Sequence, residues 1–366
     1  MWPARQGGQV RMAGLIEALS GQFHTVVALP RGQVMTGAPV AVRSLGDPNS
    51  RRAMARGFLS PLPRIGHATL GAQGRDQIRS ITEEFKPRAI LYTHSYLAAM
   101  AGPTDVPVIV DFQNLETQRL STFARRGRLH NRASAHFEYF KARRWEPETA
   151  RRASLCLALS DADNAELKGW GAEVITVPNG TARASALVRS PRRGPAVYLA
   201  SGDYAPNLDG GRWLLRHVWP QVIAKDPGAR LVIAGRGTAA AYAYAASMPG
   251  VTVLGEVDDT RALLDSAAVV VAPVNSGGGQ QLKVIEALSR ARVVLATPFS
   301  ARSVPPETRD LCITAEDAMA FSSALVDTLH DTAARWSRED TASKSAELLP
   351  TWRESVAPVA VWLAAR

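Results

Sequence analysis

Short runs of Val, Ile, Leu and Ala recur along the whole chain, separated by longer stretches whose apolar residues fall three and four apart. In the first half the runs are Thr25–Leu29, Ala89–Tyr92, Val108–Phe112, Leu155–Leu159 and Val174–Val177. In the second half they are Ala196–Ala200, Leu231–Ala234, Val251–Leu254, Val269–Ala272 and Val293–Ala296. An uninterrupted aliphatic run has no polar face, so it suits a strand covered on both sides, as in a parallel sheet. Helical spacing at Met12–Leu19, Gly211–Ile223 and Lys283–Ser289 supplies covering layers. The alternation predicts an α/β, doubly wound fold, and 366 residues suggest two Rossmann-like domains rather than one.

The junction is legible as a change of texture. The strand-like VITVPNG (Val174–Gly180) runs into Thr181–Ala196, TARASALVRSPRRGPA, which is polar and lacks periodicity. This predicts a first domain over residues 1–183, a second over 184–345 and a terminal segment over 346–366. Doubly wound folds open with a strand, yet here the Gly7-Gly8 turn and its helix follow only MWPARQ. The first strand is missing from the pattern, and a native start upstream of Met1 is expected.

Composition narrows the setting. Hydrophobic residues make up 46% of the chain and charged ones 21%, as in a globular protein with a substantial core. No run approaches the roughly 18 apolar residues that span a bilayer, and MWPARQGGQV lacks the apolar core of a signal peptide. Cys156 and Cys312 sit in apolar sequence, as buried thiols in a reducing, cytoplasmic compartment would. The net charge of +10 favours an anionic partner, whether a nucleotide diphosphate, acidic lipid head groups or nucleic acid, and the solvated faces of helices would account for it equally. Basic clusters at Arg51–Gly57, Phe123–Arg132 and Lys141–Arg152 belong to no recognisable nucleic-acid module, which argues against nucleic acid as the partner.

The segment NSGGGQQLKVIEAL (Asn275–Leu288) is the most telling motif. A glycine turn directly after a strand lets backbone approach a ligand, and the first amides of the following helix make an anion site suited to a diphosphate. Lys283 and Glu286 are three residues apart and share a helix face, so one can meet phosphate while the other accepts from ribose hydroxyls. The same spacing would serve as an ordinary surface pair. Two further turns follow strands: Ser201–Leu215, with Gly202 and Asp203 at the strand end and Asn207 or Asp209 as helix cap, and Gly235-Arg236-Gly237. Arg236 would face phosphate or base, or the turn is an ordinary loop. VPNG (Val177–Gly180) is a strand-ending turn at the domain junction.

Taken in series, VPNG, SGDYAPNLDGGRW, RLVIAGRG and Val251–Thr297 resemble the C-terminal domain of the retaining GT-B glycosyltransferases of family 4. In the first half, Ala4–Leu29, VPVIVDFQNLETQRL and LALSDADNAEL are similar to that family's N-terminal domain. The resemblance implies two domains facing a cleft, the nucleotide-sugar donor held by the second and the acceptor by the first. It implies that Glu286 holds ribose, that Gly277, Gly278, Gly279, Gln280, Gln281 and Lys283 form the donor loop and diphosphate side, and that Gly7 and Gly8 face the donor phosphates. Gly202, Asp203 and Arg236 complete the expected donor set. It further implies retention of configuration by front-face attack, no metal ion, a UDP- or GDP-sugar as co-substrate, and a last helix within Thr351–Arg366 that returns to the first domain.

The chain departs from the family's pattern at three places. Gly278 stands where many members have a first glutamate, Gln280-Gln281 where the glycine-loop subgroup has Thr-Arg, and Gln113-Asn114 where His-Asn is common. Gln113 can hydrogen-bond a sugar hydroxyl but cannot move a proton. His94, just after a strand, is the nearest histidine by topology, and local satisfaction at a strand end would explain it equally. The expected catalytic set is therefore Gln113, His94 and Glu286, with a non-catalytic nucleotide-sugar-binding relative or partner subunit as the alternative. A lipid-linked acceptor would bring peripheral contact between the basic first domain and the inner membrane face.

Overall fold

The computed structural model of the protein describes residues 7–30, 40–45, 57–71, 73–126, 129–182, 188–277 and 280–366. The chain divides into two compact units, Met1–Asn179 with Trp352–Arg366, and Gly180–Thr351. The expectation of a missing opening strand falls on residues 1–6, outside those described.

In the first unit, strands β1 (Val26–Pro30) and β2 (Ala41–Leu45) pair in parallel, and β3 (Ile90–Tyr92), β4 (Val108–Phe112), β5 (Leu155–Ala158) and β6 (Val174–Thr176) form a parallel four-stranded sheet in that order. Alternate residues of β4 and β5 enter different cores. Ile109, Leu155 and Leu157 pack with Leu15 and Leu19 of helix α1 (Gly7–Ser20) and with Val356, Val359 and Trp362 of the terminal helix Trp352–Ala364. Val110, Phe112, Cys156 and Ala158 pack on the opposite side with Leu115, Ala150 and Leu167. At Gly14 a Cβ would stand 2.1 Å from Trp352, so glycine is what lets the terminal helix meet α1.

The second unit is a parallel six-stranded sheet in the order β12-β11-β10-β7-β8-β9. Its strands are β7 (Ala196–Leu199), β8 (Leu231–Ala234), β9 (Val251–Gly255), β10 (Val269–Ala272), β11 (Val294–Ala296) and β12 (Cys312–Thr314). Tyr198, Ile233, Val269, Val271 and Leu295 belong to one core cluster, and Val197, Leu199, Val270, Ala272 and Val294 to another. Both faces are buried, which is why these strands read as unbroken aliphatic runs. Order reverses between β7 and β10, the topological switch point where ligands bind at strand C-terminal ends in such sheets.

Two strands escaped the aliphatic-run criterion. β2 exposes most of its residues and contains Arg43 and Ser44, while β12 is three residues long. The stretch predicted as one helix over Gly211–Ile223 is instead helix Ala205–Trp213, a π-helical turn over Leu214–Val218 and helix Trp219–Lys225. The wider turn buries Leu214, Leu215, Val218 and Trp219 together, more than a regular helical stripe would turn inward. Neither Asn207 nor Asp209 caps the first of these helices. Pro206 sits at its start, where a missing N–H and a fixed φ suit the first turn, and this moves the boundary back to Ala205.

Of the predicted linker, residues 188–192 are pinned within the second unit. Arg335, buried on helix Thr332–Ser345, donates to Ser190 Oγ at 3.0 Å and to the carbonyls of Pro191 and Arg192 at 2.9 and 3.1 Å. Glu339 accepts from the Ser190 amide at 3.2 Å and pairs with the buried Arg292 at 3.5 Å. Both cysteines are buried and free, and burial pushes each thiol up to about 12. No helix among the described residues is long and apolar enough to cross a membrane.

Candidate functional site

In the first unit the predicted residues gather at the C-terminal ends of β3 and β4. Gln113 directly follows β4 and is buried, and a Cβ on Gly8 would lie 2.8 Å from Gln113 Oε1. The glycine turn and the glutamine are thus in contact, and the Gln113 Nε2 group has no hydrogen-bond partner among the described residues. Gly7 begins α1 and is exposed.

Beneath this contact lies a group that the sequence did not announce. Arg11, buried on α1, grips Asp111 at the end of β4: Nε reaches Oδ1 at 3.0 Å and Oδ2 at 2.9 Å, and Nη2 reaches Oδ1 at 2.6 Å. Its Nη1 donates to the Val177 carbonyl at 2.9 Å and to Asn179 Oδ1 at 3.1 Å, which gives the VPNG turn its role as a partner of α1. Planar, bidentate recognition of a carboxylate is the geometry arginine is built for.

His94 occupies the N-cap position of helix Ser95–Ala101 and stacks on Tyr96 with ring centroids 4.8 Å apart. Burial lowers its pKa, opposed by the charges of Asp111 and Glu116, so the neutral imidazole is favoured. Glu146 was also unforeseen. From within the long helix Leu129–Arg152 it accepts from the amides of Glu116 and Thr117 at 2.7 and 2.8 Å, and so caps helix Glu116–Arg126. Burial pushes its carboxyl up to about 7 despite those two bonds.

In the second unit the loops after β7 and β8 interlock. The Gly202 amide donates to the Arg236 carbonyl at 2.7 Å, and a Cβ on Gly202 would come within 2.3 Å of the Gly237 carbonyl. Gly235 and Gly237 both take positive φ, of 126° and 73°, which side chains rarely tolerate. Arg236 pairs with Asp203, so the two residues predicted from separate motifs form one ion pair.

The loop after β10 is shaped by its neighbours. Gly277 has φ of 130°, and a Cβ there would stand 2.7 Å from the Tyr204 hydroxyl. Gly278 and Gly279 lie outside the described residues. Gln280 is half-buried, and Gln281 is buried with its amide donating to Ser303 Oγ at 2.8 Å, just before helix Leu282–Ser289. On that helix Lys283 and Glu286 are both half-buried. Burial pulls the Lys283 ammonium down to about 7 and pushes the Glu286 carboxyl up to about 7, each opposed by the other's charge. Lys283 Nζ donates to Asn207 Oδ1 at 2.8 Å. Among the described residues no group of three His, Cys, Asp or Glu side chains could hold a metal ion.

Comparison with known proteins fits this arrangement. Residues 195–331 match the family model described as glycosyl transferases group 1. No curated protein matches the chain by sequence. Among solved structures, sucrose-phosphate synthase from Thermosynechococcus elongatus is similar with a TM-score of 0.70 at 15% identity, over 98% of this chain and 93% of that one. HepE from Anabaena, solved in complex with UDP-glucose, is similar with a TM-score of 0.67 at 12% identity, over 99% and 97%. WaaG, a glycosyltransferase involved in lipopolysaccharide biosynthesis, gives 0.67 at 12% identity, over 98% and 96%. The protein therefore has the fold of the GT-B glycosyltransferases, and its residues 195–331 match the model of the group 1 glycosyl transferases.

Proposed function

We propose that the protein transfers a sugar from a UDP- or GDP-sugar to an acceptor hydroxyl, with retention of configuration and without a metal ion. The observation that carries this reading is the half-buried Lys283–Glu286 pair on the helix behind the glycine loop. A cation and a carboxyl held out of bulk water, each drawn toward neutrality, gain strongly when a diphosphate and a ribose arrive. Lys283 then meets the diphosphate and Glu286 accepts from the ribose hydroxyls, while Gly277 and Gln280 bring backbone amides to the phosphate oxygens, and Gln281, its own amide held by Ser303 Oγ, offers its side chain. Asp203 orients Arg236 at the neighbouring strand end.

In the transfer, the bond between the sugar's anomeric carbon and the β-phosphate oxygen breaks. A new bond to the acceptor oxygen forms on the same face, and the acceptor proton passes to the departing diphosphate. The chief service needed is electrostatic stabilisation of that leaving group. Gln113 contributes hydrogen bonds to the sugar rather than proton transfer, with its uncommitted amide donors as support, and Gly7 and Gly8 line the phosphate side. His94, held neutral by burial, serves as a hydrogen-bonding group.

For the acceptor, the first unit offers a basic and aromatic surface. Phe137 and Phe140 are 48% and 62% exposed on helix Leu129–Arg152, beside exposed Arg143 and Arg144, and Leu59 is 93% exposed. Lys141 ties the two segments by donating to the Gly57 carbonyl at 2.9 Å. This supports a lipid-linked acceptor and a peripheral contact with the anionic inner membrane face from the cytoplasm.

A thermal-shift series with UDP, GDP and their sugars tests the donor reading, because a ligand at about a hundred times its Kd adds roughly 2.7 kcal/mol to stability. Glu286→Ala should remove most of the shift, since losing a hydrogen bond to a charged group costs about 1.5–3 kcal/mol. No shift with any nucleotide or nucleotide sugar would overturn the reading. Binding with neither hydrolysis nor transfer would instead mark a non-catalytic nucleotide-sugar-binding relative, the reading that Gln113 favours.

A further inference from the structure

We infer that Asn207 is a positioning residue for Lys283: with its backbone carbonyl held by two buried tyrosine hydroxyls, its side-chain carbonyl aims the ammonium at the donor diphosphate. The inference rests on the donor-binding reading above and deepens it.

The geometry is built in layers. Tyr198 of β7 and Tyr242, after helix Thr238–Ala241, are both fully buried, and both donate to the Asn207 backbone carbonyl, at 2.7 and 2.9 Å. A Cβ on Gly211 would stand 2.1 Å from the Tyr242 hydroxyl, so the second bond exists because that position is glycine. Two donors converging on one carbonyl leave Asn207 little freedom. Its side-chain Oδ1 then accepts from Lys283 Nζ at 2.8 Å, while the ammonium sits 4.9 Å from the centroid of the Tyr198 ring. A flexible lysine, whose ordering carries a large entropic cost, is thereby held before any ligand arrives.

The choice of an amide matters chemically. An ammonium has three N–H donors, and a neutral acceptor takes one of them without cancelling the charge. A carboxylate in its place would form an ion pair and compete with the diphosphate. Glu286 on its own helix is the charge that acts on the ammonium, and Tyr198 on the strand packed against it is the titratable group beside it, itself under the influence of Tyr242 and Asp209. Burial already draws Lys283 down to about 7, so loss of the amide acceptor should lower it further.

The test uses the whole chain with four variants. Lys283 is reductively 13C-methylated and its titration followed by NMR, with Lys283→Arg identifying the resonance, and UDP and GDP affinities are measured by calorimetry at pH 6 and pH 8. With Asn207→Leu, Lys283 should titrate about one unit lower, so that affinity falls about tenfold at pH 8 and only about twofold at pH 6. With the isosteric Asn207→Asp, Lys283 should titrate higher while affinity falls at both pH values. Tyr242→Phe, which leaves both partners intact, should shift the titration in the direction of Asn207→Leu by a smaller amount. A Lys283 titration unmoved by both Asn207 variants overturns the inference, as does unchanged affinity in folded Asn207→Asp. If the wild-type protein binds neither nucleotide, the donor reading fails by itself, and the titrations still decide whether Asn207 governs Lys283.

Discussion

Arg11 and Asp111, a hundred residues apart, form a bidentate ion pair in which both side chains are almost wholly out of water. Such a pair ties the first helix to the end of a central strand, directly below the contact between Gly8 and Gln113. Removing one partner strands a charge in a low-dielectric interior, at a cost of about 3–5 kcal/mol. Asp111→Asn and Arg11→Met should each lower the denaturant midpoint accordingly. The double substitution Arg11→Met with Asp111→Leu should recover much of the loss, and additive losses would show that the pair does not act as a unit.

The Gly8 contact makes a narrower prediction. In Gly8→Ala the new methyl group meets the end of the Gln113 side chain, which can move, so stability should change by about 1 kcal/mol or less. On the proposed transfer reading, in which Gln113 contacts the sugar, displacing its side chain should nevertheless slow transfer by about 10- to 100-fold. The check is the rate of donor hydrolysis or transfer set against the melting temperature of the same sample. Unchanged turnover would remove Gln113 from the reaction.

These contacts also measure how far a sequence can be read. The buried strands were legible because a sheet covered on both faces leaves no polar positions, and β4, β8 and β10 end where the aliphatic runs end. β2 was not, because its solvent-facing residues dilute the signal. Lys283 and Glu286 could be paired from spacing alone, since helical geometry is local. The partner of Lys283 could not, because Asn207 lies on another helix and its residue type suggests a cap. Arg11 is one of many arginines in a basic chain, and nothing in its neighbourhood marks it as buried. Glu146 is hidden for the same reason, a carboxylate in a charged helix whose partners are two amides thirty residues away.

Glu146 gives the fold a pH dependence of definite sign. Its carboxyl stands near 4.5 when unfolded and is raised to about 7 in the native protein. The native state therefore holds the proton more tightly, so this contribution to stability is complete below about pH 4.5 and fades as pH rises through about 7. The full difference corresponds to roughly 3 kcal/mol. Chemical denaturation between pH 5 and 8 should show a steeper decline in the wild-type protein than in Glu146→Gln, and parallel profiles would contradict the assignment.

The aromatic face of helix Leu129–Arg152 predicts vesicle binding. Full burial of one Phe side chain is worth about 1.5–3 kcal/mol, so Phe137→Ser with Phe140→Ser should weaken co-sedimentation with anionic vesicles by tenfold or more. Raised salt should weaken it further, through the arginines beside them. Equal sedimentation with neutral and anionic vesicles would count against the contact.

The terminal helix Trp352–Ala364 fills the groove where Leu15 and Leu19 of α1 meet the sheet of the first unit, with Trp352 against Gly14. In a chain made from its N-terminus, every residue of Gly180–Thr351 is present before that helix exists. The unit begun first is thus the one finished last. Until then, during synthesis, the groove between α1 and the sheet lacks its apolar cover, so a ribosome that stalls late would release a chain with one complete fold and one sticky, unfinished one.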